Sequence, residues 1–198
     1  WDSDVGKWIE AASYALSHRR DPMIEAKIEA IIDDLEKAQE PDGYVNCWYL
    51  EREPQNRWTN LRDNHELYNL GHLLEGAVAY WRATGRDRIM KVMERAFDHV
   101  STVFGRGPGQ KRGYCGHPEV ELALIKAWHA TGQRKYLDLA SYFVDERGQQ
   151  PHYFDIERDA RGEPPDTYGQ GTYEYSQSHL PVREQTKVVG HAVRAMYL

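Results

Sequence analysis

Apolar residues recur along this chain with the period of a helix. Ile24, Ile28, Ile31, Ile32 and Leu35 fall on one face, and Asp21-Pro22 supplies an N-cap followed by proline at the first helical position. Val5, Trp8, Ile9, Ala12 and Leu16 form an earlier stripe, and Leu67, Leu70, Leu74, Ala77, Val78 and Trp81 a later one. Ile89, Val92, Met93, Ala96 and Val100 follow, then Val120, Leu124, Ala127 and Trp128, then Tyr136, Leu139, Ala140 and Phe143. A last stripe begins near Val182, and Val188–Leu198 reads as helix with no stop signal.

The links between stripes carry their own pattern. Ala83-Thr84-Gly85 and Ala130-Thr131-Gly132 each end one stripe just before the next begins. Each glycine suits the position just past a helix. Such short links force antiparallel pairs, and the same tripeptide in two consecutive pairs predicts a repeat of helical hairpins. The expected fold is all-α, a solenoid or a closed α/α toroid. Tyr44–Tyr49 is rich in β-formers but sits in a connection, and Gln149–Ser178 reads as one long polar loop.

Composition narrows the function. At 198 residues the chain holds one substantial core, and its net charge of −6 disfavours a nucleic-acid partner. Arg106, Lys111 and Arg112 form the only basic cluster, expected as a solvated loop. No apolar run reaches the length of a membrane span, and no signal peptide opens the sequence. Two cysteines, Cys47 and Cys115, outside any Cys-x-x-Cys arrangement, point to a reduced, cytoplasmic setting. The 13 Tyr, 6 Trp and 9 His are suited to gripping sugars, since rings cover C–H faces and neutral imidazoles both donate and accept; they equally suit helix packing.

Three Gly-His pairs stand out: Gly71-His72, Gly116-His117 and Gly190-His191. In a toroid the starts of the inner helices line one mouth. His65, His117 and His191 would converge there from separate hairpins on one pocket. A metal site is a rival for these histidines, but His65-Glu66 does not continue as His-Glu-x-x-His, and no metal site is expected within the chain. Glu66, Glu75, Glu119, Glu121 and Glu184 lie near the histidines and read as supporting or surface groups. There is no Gly-x-Ser-x-Gly elbow, phosphate loop or dinucleotide fingerprint.

Several stretches together carry a resemblance: Asp2-Ser3-Asp4-Val5 with Lys7-Trp8, Asp42-Gly43-Tyr44-Val45-Asn46, Arg57-Trp58-Thr59-Asn60-Leu61, His65-Glu66-Leu67-Tyr68 with Gly71-His72, Gly113-Tyr114-Cys115-Gly116-His117-Pro118-Glu119, and Pro181-Val182-Arg183-Glu184-Gln185 with Gly190-His191-Ala192-Val193-Arg194-Ala195. In this order they resemble glycoside hydrolase family 127, the β-L-arabinofuranosidases, over essentially the whole chain. The resemblance implies an (α/α)6 barrel, of which residues 1–198 would be the N-terminal portion, followed by β-rich domains. It implies a retaining hydrolase that removes terminal β-L-arabinofuranose from arabinose-containing oligosaccharides or peptides. Its nucleophile would be a cysteine thiolate held on zinc, with a separate Glu as acid/base, all expected downstream of Leu198. Neither Cys47 nor Cys115 matches those positions, so no catalytic residue is assigned here. What carries over is sugar binding by His65, His117 and His191, with the loop of Tyr44 and Asn46 expected at the mouth.

Two other readings stand beside this one. A sugar epimerase or unsaturated-uronide hydrolase on the same toroid would place proton transfer on His or Asp within the barrel. A helical repeat module that binds a protein would use the same His and Trp as core and caps. The chain is expected to be cut within a fold, about seven helices of twelve by the toroid pattern, exposing apolar faces that favour a homo-oligomer or marginal stability.

Overall fold

In the computed structural model, residues 2–165 and 173–198 are described. Asp21 caps the second helix as its position predicts, its carboxylate accepting the amides of Met23 and Ile24 with Pro22 in the first turn. The main helices form three hairpins: α1 (Asp2–His18) with α2 (Pro22–Ala38), α4 (Glu66–Thr84) with α5 (Arg88–Val103), and α6 (Val120–Thr131) with α7 (Arg134–Glu146). Short helices α3 (Cys47–Glu51), α8 (Tyr153–Ala160) and α9 (Ala192–Tyr197) lie in the connections. Among the described residues there is no strand, only an isolated bridge between Phe104 and Lys111, and no helix long and apolar enough to cross a membrane.

Helices α1, α4 and α6 lie side by side as the inner layer, with α4 in the middle and α2 against α5 outside. Burial follows this arrangement. α4 is buried at 14 of its 19 positions, whereas α5 and α7 each bury one stripe, the one their sequences predict. The structure is part of an all-α (α/α)6 barrel, incomplete in this chain.

The repeated tripeptide makes the same turn twice. Gly85 (φ 76°) and Gly132 (φ 71°) end α4 and α6 in the left-handed region, and their amides bond to Trp81 and Trp128 carbonyls, both at 2.7 Å. Thr84 and Thr131 donate their hydroxyls to Tyr80 and Ala127 carbonyls and accept the amides of Arg86 and Gln133.

Several expectations are corrected. On α1 the buried face is Ser3, Gly6, Ile9, Ser13 and Leu16, while Val5 and Trp8 are exposed. The two inner helices cross too closely for bulk: a Cβ on Gly6 would lie 2.5 Å from the His72 carbonyl carbon, and one on Gly76 2.7 Å from the Gly6 oxygen. The β-forming run at Tyr44–Tyr49 gives helix α3 instead, because the Asn46 side chain caps it through the Tyr49 amide at 3.1 Å.

The expected loop Gln149–Ser178 contains α8 and a 3-10 turn, Tyr173–Ser176; its residues 166–172 lie outside the described residues. Apolar periodicity misses α8 because its inward face carries a carboxylate. Glu157 is buried and accepts the amides of Leu61 and Arg62, each at 2.9 Å.

The helix expected over Val188–Leu198 is confined to α9, and Val182–Glu184 is a single 3-10 turn. The Gln177 amide holds the carbonyls of Val189 and His191, and Gly190 (φ 71°) passes so close to Glu174 that a Cβ would sit 1.9 Å from its carbonyl oxygen. The basic trio is also not a free loop: Arg106 and Arg112 both pair with buried Glu146, at 3.0 and 2.7 Å, and the Lys111 ammonium donates to the Trp58 carbonyl at 2.6 Å.

Candidate functional site

His65 sits at the start of α4, His117 in the loop before α6, and His191 at the cap of α9, where its ring accepts the Arg194 amide. The structure brings these three together. Ring centroids of His65 and His117 are 6.2 Å apart, and those of His117 and His191 6.1 Å. Tyr68 lies among them, 5.3 Å from His65 and 4.6 Å from His117, with the Lys7 ammonium donating to its hydroxyl at 2.9 Å. Tyr197 stands 5.7 Å from His117 and Tyr175 5.2 Å from His191. Aromatic walls thus surround nitrogen donors and acceptors.

Two arginines position these loops. Arg194 donates to the Gly116 carbonyl and the Ser176 hydroxyl, and fully buried Arg147 donates to the Cys115 carbonyl, the Ser176 carbonyl and Glu121. The backbone just before His117 is therefore held by charge-assisted bonds. Burial, aided by Arg194, lowers the pKa of His65, and burial with Arg194 and the neighbouring imidazoles lowers that of His117 to about 4. Both rings are neutral at pH 7, the state in which an imidazole both donates and accepts.

A cleft of about 610 Å³ opens beside His65, lined by Asn46, Trp48, Asn64 and Asn69 among others. Asn46 and His65 share it; His117 and His191 line the ring cluster on the other side of His65. Tyr44 does not reach the mouth. Its ring is buried edge-on to Trp58, and its hydroxyl donates to Glu66 at 2.6 Å. Glu66 also accepts the Trp58 amide at 2.9 Å, and burial outweighs both bonds and raises its pKa to about 7.

The five glutamates expected as supporting or surface groups divide by burial. Glu66, Glu75, Glu119 and Glu121 are buried, and only Glu184 is exposed. Behind Tyr68, His72 Nδ1 lies 3.3 Å from Glu75 Oε2 and 3.5 Å from Glu119 Oε1. Lys126 forms an ion pair with Glu75 Oε1. Burial and the adjacent Glu75 raise the pKa of Glu119 far above the carboxylate range, while His72, Glu119 and Lys126 overcome burial to lower that of Glu75. Among the described residues, His72, Glu75 and Glu119 are the one group of three such side chains whose possible ligand atoms all lie within 4.8 Å of one another. The His72-x-x-Glu75 spacing, one turn along a helix face, was the available signal for it.

The cysteines do not fit a zinc-held thiolate. Neither belongs to a ligand cluster, and burial raises the Cys115 thiol to about 12 and, with Asp2, the Cys47 thiol to about 11. No step through a zinc thiolate is derived from this chain.

Part of an α/α barrel, with imidazoles and tyrosines gathered where α4, α6 and α9 begin, is the class of domain this chain forms. The family described as "Beta-L-arabinofuranosidase, GH127 catalytic domain" matches residues 1–197, and the chain belongs to that family. A "Non-reducing end beta-L-arabinofuranosidase" of Bifidobacterium longum subsp. longum is 37% identical over 203 residues, covering 100% of this chain and 31% of the relative. The crystal structure of a GH127 β-L-arabinofuranosidase from Geobacillus stearothermophilus T6 superposes with a TM-score of 0.96 at 56% identity, over 99% of this chain and 31% of that one. A GH127 β-arabinofuranosidase gives 0.83 at 39%, over 99% and 29%. The chain thus spans about a third of the length of these relatives.

Proposed function

We propose that this chain forms part of the sugar-binding pocket of a retaining glycoside hydrolase that releases terminal β-L-arabinofuranose from arabinose-containing glycans. His65, His117 and His191 contact the sugar hydroxyls, and Tyr68 and Tyr197 cover its apolar faces. The observation that carries this is the convergence of three imidazoles from three separate segments, about 6 Å apart and flanked by tyrosines. Family membership and the named activities of the relatives support the substrate class. The cleft beside His65 sets the amides of Asn46, Asn64 and Asn69 beside Trp48 and Tyr49, a mixture of hydrogen-bonding groups and rings that suits a sugar. The nucleophile and acid/base are assigned to no residue here.

Calorimetric titration with L-arabinose tests the reading, using the chain, His65→Ala and His117→Ala, with circular dichroism as a check on folding. Weak binding abolished by both substitutions in folded variants is the expected result. Binding unaffected by either would remove these histidines from the pocket.

A further inference from the structure

We propose that His72, Glu75 and Glu119 bind one divalent cation in tetrahedral geometry, zinc by the His and carboxylate donors, directly beneath the ring cluster. The three side chains come from α4 and from the residue preceding α6, and all are at least 96% buried. The ligand atoms of all three lie within 4.8 Å of one another, and the two separations from His72 are longer than those of good hydrogen bonds. A charge-assisted N–H···O bond closes to about 2.7–2.9 Å. The edges of a tetrahedron with ligand bonds of about 2.0–2.1 Å are about 3.3–3.4 Å. The His72 Nδ1 separations of 3.3 and 3.5 Å lie close to the second figure.

The polar atoms themselves point to a ligand. Neither ring nitrogen of His72 and neither carboxyl oxygen of Glu119 makes a hydrogen bond to a described residue. Buried polar atoms of this kind require a partner. The neighbourhood is built to hold them. The Glu119 carboxyl rests against Gly71, where a Cβ would come within 1.5 Å of Oε2, and the Glu119 amide donates to Glu121 at 3.1 Å. Lys126 pairs with Oε1 of Glu75 and leaves Oε2 facing His72, as an outer partner of a ligating carboxylate does. Tyr68, 4.5 Å from the His72 ring, and Tyr197, 5.9 Å from it, separate the site from the sugar pocket by one layer of side chains.

The test is zinc content after loading the chain and desalting it at neutral pH, measured by inductively coupled plasma mass spectrometry. The expected result is about one zinc per chain, lowered at least about tenfold by His72→Ala or Glu119→Gln and retained by a Cys47→Ser/Cys115→Ser double variant. Should the buried substitutions unfold the chain, cobalt replaces zinc in the unaltered protein. Visible d–d bands of a tetrahedral site without a thiolate charge-transfer band support the proposal. A folded chain that retains no zinc, zinc retained equally by His72→Ala, or a six-coordinate or thiolate cobalt spectrum overturns it.

Discussion

The Glu119 carboxyl occupies the space that a side chain at residue 71 would fill, since a Cβ built on Gly71 comes within 1.5 Å of Glu119 Oε2. Gly71→Ala is therefore expected to overpack a seat between two inner helices, at a cost of about 1–3 kcal/mol. If the clash is with Glu119, shortening that residue relieves it. Urea denaturation of Gly71→Ala, Glu119→Ala and the double variant should give a double loss smaller than the sum of the singles. Strict additivity would mean that the alanine strains something other than Glu119.

Trp58 has a left-handed backbone (φ 59°), unusual for a bulky residue. It is held there from both sides, its amide bonded to Glu66 and its carbonyl to Lys111. Tyr44 completes the arrangement by donating to the other Glu66 oxygen. Tyr44→Phe removes that donor and leaves a buried carboxyl short of a partner, which is expected to cost about 1–3 kcal/mol. A loss within error in denaturant melts would show that the bond contributes nothing.

What the sequence disclosed follows from where apolar side chains decide the structure. The outer stripes Ile89–Val100 and Tyr136–Phe143, the Asp21-Pro22 start and the twin Thr-Gly stops are local signals, and each forms as read. The pattern fails where polar or small groups take over the packing: Gly6 and Ser13 on α1, Glu157 on α8, and the Gln177 contacts that interrupt the final helix. The three imidazoles were legible because each lies in a short motif just before a helix, His65-Glu66-Leu67-Tyr68, Gly116-His117 and Gly190-His191. Tyr68, inside a recognised motif, was passed over because a tyrosine on an inner helix reads as core. His72, Glu75 and Glu119 were passed over because their grouping depends on an inter-helix approach that only Gly71 permits.

The two hairpin stops offer a matched pair. Gly85 and Gly132 share a left-handed φ and the same capping bond, and a Cβ on either would meet no atom within 4 Å. Alanine there clashes with nothing and bears only the cost of the left-handed backbone, about 1–2 kcal/mol. Gly85→Ala and Gly132→Ala should therefore lower stability by similar amounts. A loss at one site but not the other, in parallel urea titrations, would mean that the repeat is one of sequence and not of energetics.

His117 makes the sharpest prediction about pH. Its pKa falls from 6.5 to about 4, through burial first and then through Arg194 and the neighbouring imidazoles. Between about pH 4 and 6.5 the unfolded chain binds a proton at this position that the folded chain does not. Its contribution is therefore complete above 6.5 and lost as pH falls toward 4. Glu66 and Glu157 act in the opposite sense. Burial raises both from 4.5 to about 7, so each holds a proton in the folded state that the unfolded chain has released, and their contribution is lost as pH rises from 4.5 toward 7. The two effects overlap, so the stability of the unaltered chain against pH is a poor guide to either. Comparison with His117→Asn separates them, because asparagine does not titrate and the glutamates are unchanged. Denaturant melts at several values between pH 4 and 7 should show the unaltered chain losing stability on acidification relative to His117→Asn, with a slope difference of up to about one proton. Parallel curves would mean that His117 titrates alike in both states, and the argument that it meets a sugar as a neutral ring would lose its basis.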